Sequence, residues 1–177
     1  MIEITSDEPG HSLKTLLWQA VKLYDTKALL PLLRDKDSLV RTTVARELQV
    51  RGDVLTFDEA MVMGHSKKAS EREIAAFLLG QLGTPNFPFK ERSIPVLETQ
   101  LEKDKNAAVR ATAAASLGHL QSESSVPLLI NASTDAHADV RIAVAFALSI
   151  FPDNRDATKC LKKLSMDKNK DVRHRSE

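Results

Sequence analysis

Residues 139–150 read DVRIAVAFALSI, and residues 108–119 read AVRATAAASLGH. Aligned on their arginines, Arg141 and Arg110, they match two more stretches: LVRTTVARELQ at 39–49, around Arg41, and EREIAAFLLGQ at 71–81, around Arg72. A fifth arginine, Arg173, sits in KDVRHRSE at 170–177. Successive arginines are 31, 38, 31 and 32 residues apart. Counted from each Arg, positions +3 and +4 hold Val44-Ala45, Ala75-Ala76, Ala113-Ala114 and Val144-Ala145. Position +7 holds Leu48, Leu79, Leu117 and Leu148. These positions share one face of an α-helix, so each stretch is predicted to be an amphipathic helix. Recurrence at a fixed period marks a repeat array.

A second apolar period lies upstream of each Arg. Positions −13 and −9 are Ala28 and Leu32, Leu97 and Leu101, Leu128 and Ala132, Cys160 and Leu164. The second unit is weaker, with Glu59 and Met63. Each unit is thus two helices joined by a polar turn: RDKDS at 34–38, EKDKN at 102–106, TDAHA at 134–138, DKNKD at 167–171. Asp, Asn and Ser in such turns cap the following helix. Pro95 and Pro127 suit a first helical turn, and Pro31 begins or kinks its helix. Only 8 residues are aromatic and Gly numbers 6, while Ala and Leu are abundant. That composition favours helix over sheet. The predicted fold is all-α, an α-solenoid of stacked helix pairs.

Two helices per unit with Asp-Val-Arg before the second resemble HEAT repeats, in the short variety called PBS-lyase HEAT-like. Asp139-Val140-Arg141 and Asp171-Val172-Arg173 carry the resemblance, with Ala108-Val109-Arg110 and Leu39-Val40-Arg41. Ser70-Glu71-Arg72 keeps only the Arg. The resemblance spans roughly residues 25–177. It implies that Arg41, Arg72, Arg110, Arg141 and Arg173 form a structural ladder, bonding acidic side chains or helix-end carbonyls near the turns. A stacked array buries a continuous core that one helix pair could not.

Residues 1–11 are expected to be a flexible N-terminus. Residues 12–24 read as an N-terminal capping helix with Leu13, Leu16, Leu17, Ala20 and Tyr24 on one face, Ser12 as its cap, and Trp18 and Tyr24 as packing groups. The repeats follow at about 25–52, 53–82, 91–120, 122–151 and 153–177, within a single solenoid over 12–177. The last is incomplete, which implies either a piece of a longer protein or an end buried on a partner. The long spacing places an inserted loop at 83–90, GTPNFPFK, where Phe87 and Phe89 either pin the loop onto the core, the favoured reading, or form an exposed recognition element.

Charge is nearly balanced, 25 Lys+Arg against 24 Asp+Glu. This argues against a nucleic-acid or membrane partner held by bulk electrostatics. The single Cys160 excludes an internal disulfide and Cys-rich zinc sites. At an apolar −13 position it reads as a buried, inert thiol. No apolar run reaches membrane-spanning length and the start, MIEITSDEPG, is acidic, so the expected location is cytoplasmic. The five histidines form no HExxH, and no phosphate-binding glycine loop or GxSxG is present. No cofactor and no metal are expected, and the balance leans away from an enzyme.

In HEAT-like solenoids the second helices line the concave surface, so positions +2, +5 and +9 would face a partner. The +2 column is Thr43, Ile74, Thr112 and Ala143; +5 is Arg46, Phe77, Ala115 and Phe146; +9 is Val50, Gln81, His119 and Ile150. Arg46, Phe77, Gln81, His119 and Phe146 are the candidate partner-binding residues, of types suited to a protein groove rather than a phosphate surface. The repeat sequences and the position of the insertion are also similar to the enterobacterial YibA-type HEAT proteins. That similarity implies a non-catalytic immunity role against Rhs-type polymorphic toxins, exerted by occluding the toxin domain. A general scaffold or adaptor is the alternative, and a lyase-like enzyme related to the bilin lyases, which share this repeat type, is another.

Overall fold

The structure, a computed structural model, describes Pro9–Ser176. Eleven α-helices and no strand occur among the described residues. They are α1 (Pro9–Val21), α2 (Thr26–Leu29, continuing into a 3-10 turn at Leu30–Arg34), α3 (Ser38–Arg51), α4 (Val54–Met63), α5 (Ala69–Gln81), α6 (Lys90–Lys103), α7 (Ala107–His119), α8 (Val126–Ala132, after a 3-10 turn at Glu123–Ser125), α9 (Ala138–Ser149), α10 (Arg155–Leu164) and α11 (Lys170–Arg175). The arginine-bearing helices α3, α5, α7, α9 and α11 stack side by side as one layer, and α1 packs onto the free side of α3. The first helices of the pairs form the other layer.

The core lies between the layers. All twelve residues at +3, +4 and +7 of the four complete units are buried, none more than 2% exposed. They meet Leu29 and Leu33 from the first pair, then Phe57, Ala60 and Met63, Leu97 and Leu101, Val126 and Leu129, and Ala157, Cys160 and Leu164. Cys160 is a free, buried thiol. Side chains cap most helix starts: Asp37 accepts from the Leu39 amide, Asn106 from Ala108 and Val109, and Asn169 from Asp171 and Val172. Helices α5 and α9 follow Lys68 and His137, which provide no such bond.

Neighbouring second helices approach closely at position +8. A Cβ on Gly80 would lie 2.2 Å from the Ser116 side chain, and one on Gly118 would lie 2.8 Å from Cα of Ala147. The Ser116 hydroxyl uses this approach to donate to the Ala76 carbonyl at 2.8 Å. Gly52 ends α3 in the left-handed region, φ 65°, and abuts Gly83, whose amide donates to the Gln49 carbonyl.

The inserted loop is held by its aromatics. Phe87 and Phe89 are half-buried against the core, and Phe89 stacks on the fully buried Phe57 with centroids 4.4 Å apart. The Arg92 guanidinium lies over the Phe57 ring, 4.4 Å from its centroid.

Three expectations need correction. Pro95 is the sixth residue of α6, not part of its first turn. It faces solvent, so the Glu91 carbonyl that loses its helical donor lies on the exposed side of α6. The N-terminal helix starts at Pro9 and ends at Val21, so Ser12 falls inside it and Tyr24 follows it. The expected flexible segment 1–11 is therefore helical from Pro9, and residues 1–8 and the side chain of Ser12 lie outside the described residues. Lastly, the face expected to be buried is mostly open. Leu13, Leu16 and Tyr24 are exposed by more than half, Ala20 is exposed, and Val21 is the buried anchor instead. Trp18, expected to pack, is 41% exposed with the Lys22 ammonium 3.7 Å from its ring centroid.

Candidate functional site

The five column arginines do a common job. Each sends Nη1 back to a carbonyl six residues earlier in its own turn: Arg41 to Asp35, Arg72 to Ser66, Arg110 to Asp104, Arg141 to Asp135 and Arg173 to Asp167. Three of them also reach the next unit. Arg72 grips the Asp104 carboxylate through Nε and Nη2 at 2.6 and 2.8 Å, Arg110 grips Asp135 at 2.7 and 3.0 Å, and Arg141 grips Asp167 at 2.8 and 2.9 Å. Each of these aspartates also accepts a backbone amide two residues on. One carboxylate thus fixes its own turn and ties it to the preceding unit.

The column breaks once inside the array. Position −6 from Arg72 is Ser66, whose hydroxyl donates to Glu71. Arg41 therefore makes no ion pair with the second unit among the described residues. Arg34 crosses there instead, pairing with Glu59 and, at 3.5 Å, with Glu71. Sequence reading found the arginines but missed their acids. The signal was the −6 column itself: Asp35, Ser66, Asp104, Asp135, Asp167.

These bonds set the acid behaviour of the fold. The Arg72 guanidinium holds the Asp104 carboxyl below its ordinary value, and Arg141 does the same for Asp167. At Asp135 burial pulls upward, but the bonds from Arg110 and the His137 amide outweigh it. The unfolded chain takes up protons on these groups at higher pH than the folded chain does. Their contribution is whole above the ordinary value near 3.8 and disappears as pH falls through the lower folded values. Urea midpoints should therefore fall steeply below about pH 4. The fall should be shallower in Asp135→Asn, which starts from a lower stability at pH 7. An equally steep fall in the variant would deny the carboxylate its role.

The candidate binding residues lie on the open face of the second-helix layer, in two groups. Arg46, Phe77 and Gln81 line one groove of about 730 Å³, together with Trp18, Thr42, Gln49 and Val50. Arg46 is exposed and makes no ion pair among the described residues, and Phe77 is half-buried. A smaller cavity of about 200 Å³ continues from it past Arg46, Phe77, Glu73 and Thr112. His119 and Phe146 form the second group, their rings 4.9 Å apart and tilted by 55°. The Arg175 guanidinium lies 4.7 Å from the Phe146 ring centroid on this cluster. Burial pushes the His119 imidazole below its ordinary value, so it stands neutral against Phe146 at pH 7. Between the groups the +5 column carries only Ala115. Ile74 is buried between repeats, whereas Val50 is 68% exposed.

Trp18 and Arg175 are the members that sequence reading left out of this face. Trp18 was legible in one way: if Leu13 takes the Arg position, Leu16, Leu17 and Ala20 fall at +3, +4 and +7, and Trp18 falls at +5. The +5 column then runs Trp18, Arg46, Phe77, Ala115, Phe146. Arg175 is the +2 residue of the fifth unit.

Outside this face, a groove of about 690 Å³ lies between α8 and α10, lined by Ile130, Asn131, Asn154, Lys159 and Lys163. Among the described residues no group of three His, Cys, Asp or Glu side chains is arranged to hold a metal ion. No described helix is long and apolar enough to cross a membrane.

Residues 94–177 match the family model for HEAT repeats. The protein YibA of Escherichia coli (strain K12) is 30% identical over 192 aligned positions, covering 88% of this chain and 68% of that protein, and the YibA of Escherichia coli O157:H7 matches equally. The X-ray structure of Escherichia coli YibA superposes with a TM-score of 0.58 at 27% identity, covering 99% of this chain and 75% of the other. The complex of CpcE and CpcF of phycocyanin lyase from Nostoc sp. PCC7120 gives 0.62 at 17% identity, covering 99% and 79%. A designed armadillo repeat protein gives 0.56 at 12% identity, covering 97% and 93%. The last two likenesses concern the fold alone.

Proposed function

Because the chain belongs to the YibA family of HEAT-repeat proteins, we propose that it is a non-catalytic protein-binding module whose second-helix face grips a folded partner. The observation that carries this reading is the +5 column: Trp18, Arg46, Phe77 and Phe146 stand along one open face, partly desolvated and flanked by Thr and Gln side chains. Aromatic and Arg anchors in such settings dominate protein–protein affinity. The three two-pronged Arg–Asp pairs, by contrast, are engaged with one another at the turns.

The specific role we propose is immunity in the cytoplasm: the face covers the toxin domain of an Rhs-type polymorphic toxin and blocks access of its substrate. The support is the similarity to the YibA-type proteins. A rigid array suits it, since a pre-formed surface avoids the ordering cost of binding.

The test is co-expression with a toxin domain encoded beside the gene. The wild-type chain should restore growth and co-purify at one-to-one yield. Phe77→Ala with Phe146→Ala should weaken binding by about a hundredfold, two anchors at ~1–2 kcal/mol each. Both rings are mostly buried and Phe77 packs on the core, so the melting temperature falls as well, and affinity is read where circular dichroism shows the double variant fully folded. Unchanged affinity would refute the assignment of the face. Failure of the wild-type chain to bind any neighbouring toxin would leave the adaptor reading in place of immunity, and turnover of a co-purifying chromophore would replace both with a lyase.

A further inference from the structure

Helix α1 is built as the second helix of a repeat whose first helix is not among the described elements. It packs against α3 as each second helix packs against the next, and Leu16, Leu17 and Ala20 occupy its +3, +4 and +7 positions. In the four complete units the +3 residue, Val44, Ala75, Ala113 or Val144, is fully buried beneath a first helix. In α1 the +3 residue, Leu16, is 53% exposed, Ala20 is exposed, and Leu13, one turn away, is 58% exposed. Leu23 continues the same side just past the helix and is 86% exposed.

We propose that this face joins two copies of the chain through a twofold axis, each α1 covering the other where a first helix covers the second helix in the later units. The array itself supplies the template, since what covers these columns in every complete unit is an antiparallel helix. A twofold axis across α1 also makes the pair antiparallel. The stripe suits such an axis. With the centre between Leu16 and Ala20, Leu16 meets the partner's Ala20 and Leu13 meets the partner's Leu23, so a large side chain faces a small one at the middle and no charged side chain lies on the stripe Leu13, Leu16, Ala20, Leu23. Leu13, Leu16, Leu23 and Tyr24 leave roughly 500 Å² of side-chain surface open per copy. Roughly 1,000 Å² across the pair reaches the threshold of a specific interface. The binding groove lies on the Trp18 side of α1, so both functions fit one helix.

Sedimentation velocity on the 177-residue chain from about 1 to 200 µM tests this, since an interface of that size sits at the weak end of specific association. The wild-type chain should pass from monomer to dimer over that span. Leu16→Asp, and separately Leu13→Asp, should weaken dimerisation at least tenfold with unchanged circular dichroism, because both sites are open in the single chain. A monomer at 200 µM overturns the proposal, whatever else covers α1. A dimer insensitive to both substitutions also overturns it, by placing the interface elsewhere. Neither result bears on partner binding through Phe77 and Phe146.

Discussion

Gly80→Ala should destabilise the array by about 2–3 kcal/mol, although alanine in place of glycine inside a helix ordinarily stabilises by up to about 1 kcal/mol. The sign reverses because of what lies opposite. The new methyl would sit 2.2 Å from both Cβ and Oγ of Ser116 and 2.7 Å from its Cα. Rotating the serine relieves only the Oγ contact, so α5 and α7 must move apart. That movement breaks the bond from Ser116 to the Ala76 carbonyl, between two buried groups, at a further ~1 kcal/mol or more. Urea unfolding at pH 7 reads the effect, and a midpoint unchanged or raised would show that the seam between α5 and α7 is plastic. Adding Ser116→Gly should recover part of the loss. Gly64→Ala is the contrast: its nearest neighbour is a Val96 methyl at 3.3 Å, and a small rotation accommodates it.

The seam also marks where sequence reading succeeds and stops. The core was legible because +3, +4 and +7 recur with small and aliphatic residues, and a period of one helical turn needs no partner to be seen. The arginines were legible for the same reason. Gly80 and Gly118 were not, since their meaning depends on the distance to Ser116 and Ala147, which lie in the next second helix along the array. Leu13, Leu16 and Ala20 misled for a physical reason: amphipathicity says which face could be buried, but the covering helix must come from elsewhere in the fold. The +5 and +9 columns were legible as columns, whereas the +2 column turns inward at Thr43 and Ile74, and the division into a Trp18–Arg46–Phe77 groove and a His119–Phe146–Arg175 cluster arises from the stacking of units. Trp18 reads as a packing group when α1 is taken as a cap, and as a member of the +5 column when α1 is placed in the register of the repeat.

Arg141→Met should cost about 3–4 kcal/mol, more than the same change at any column position without a carboxylate partner. The Arg141 side chain is 6% exposed and that of Asp167 13%, so truncation strands a nearly buried carboxylate held by one backbone amide. It also frees the carbonyls of Asp135 and Ala136 that Nη1 occupies. Arg110→Met should follow closely, its pair being 15% and 14% exposed. Arg41→Met should cost nearer 1 kcal/mol, because among the described residues that guanidinium bonds only the Asp35 and Lys36 carbonyls. Arg173→Met belongs with Arg41, bonding only the Asp167 and Lys168 carbonyls among the described residues. Chemical denaturation of the four variants separates two accounts of one repeated residue. If the arginine acts mainly on its own turn, all four lose the same amount, since each bonds its turn alike. If it acts as the tie between units, the losses divide into a large pair and a small pair. The double variant Arg141→Met with Asp167→Asn should then lose less than the two single changes summed, because the second removes the charge that the first left buried. Equal losses along the column, or a strictly additive double variant, would reduce the ladder to five independent helix caps.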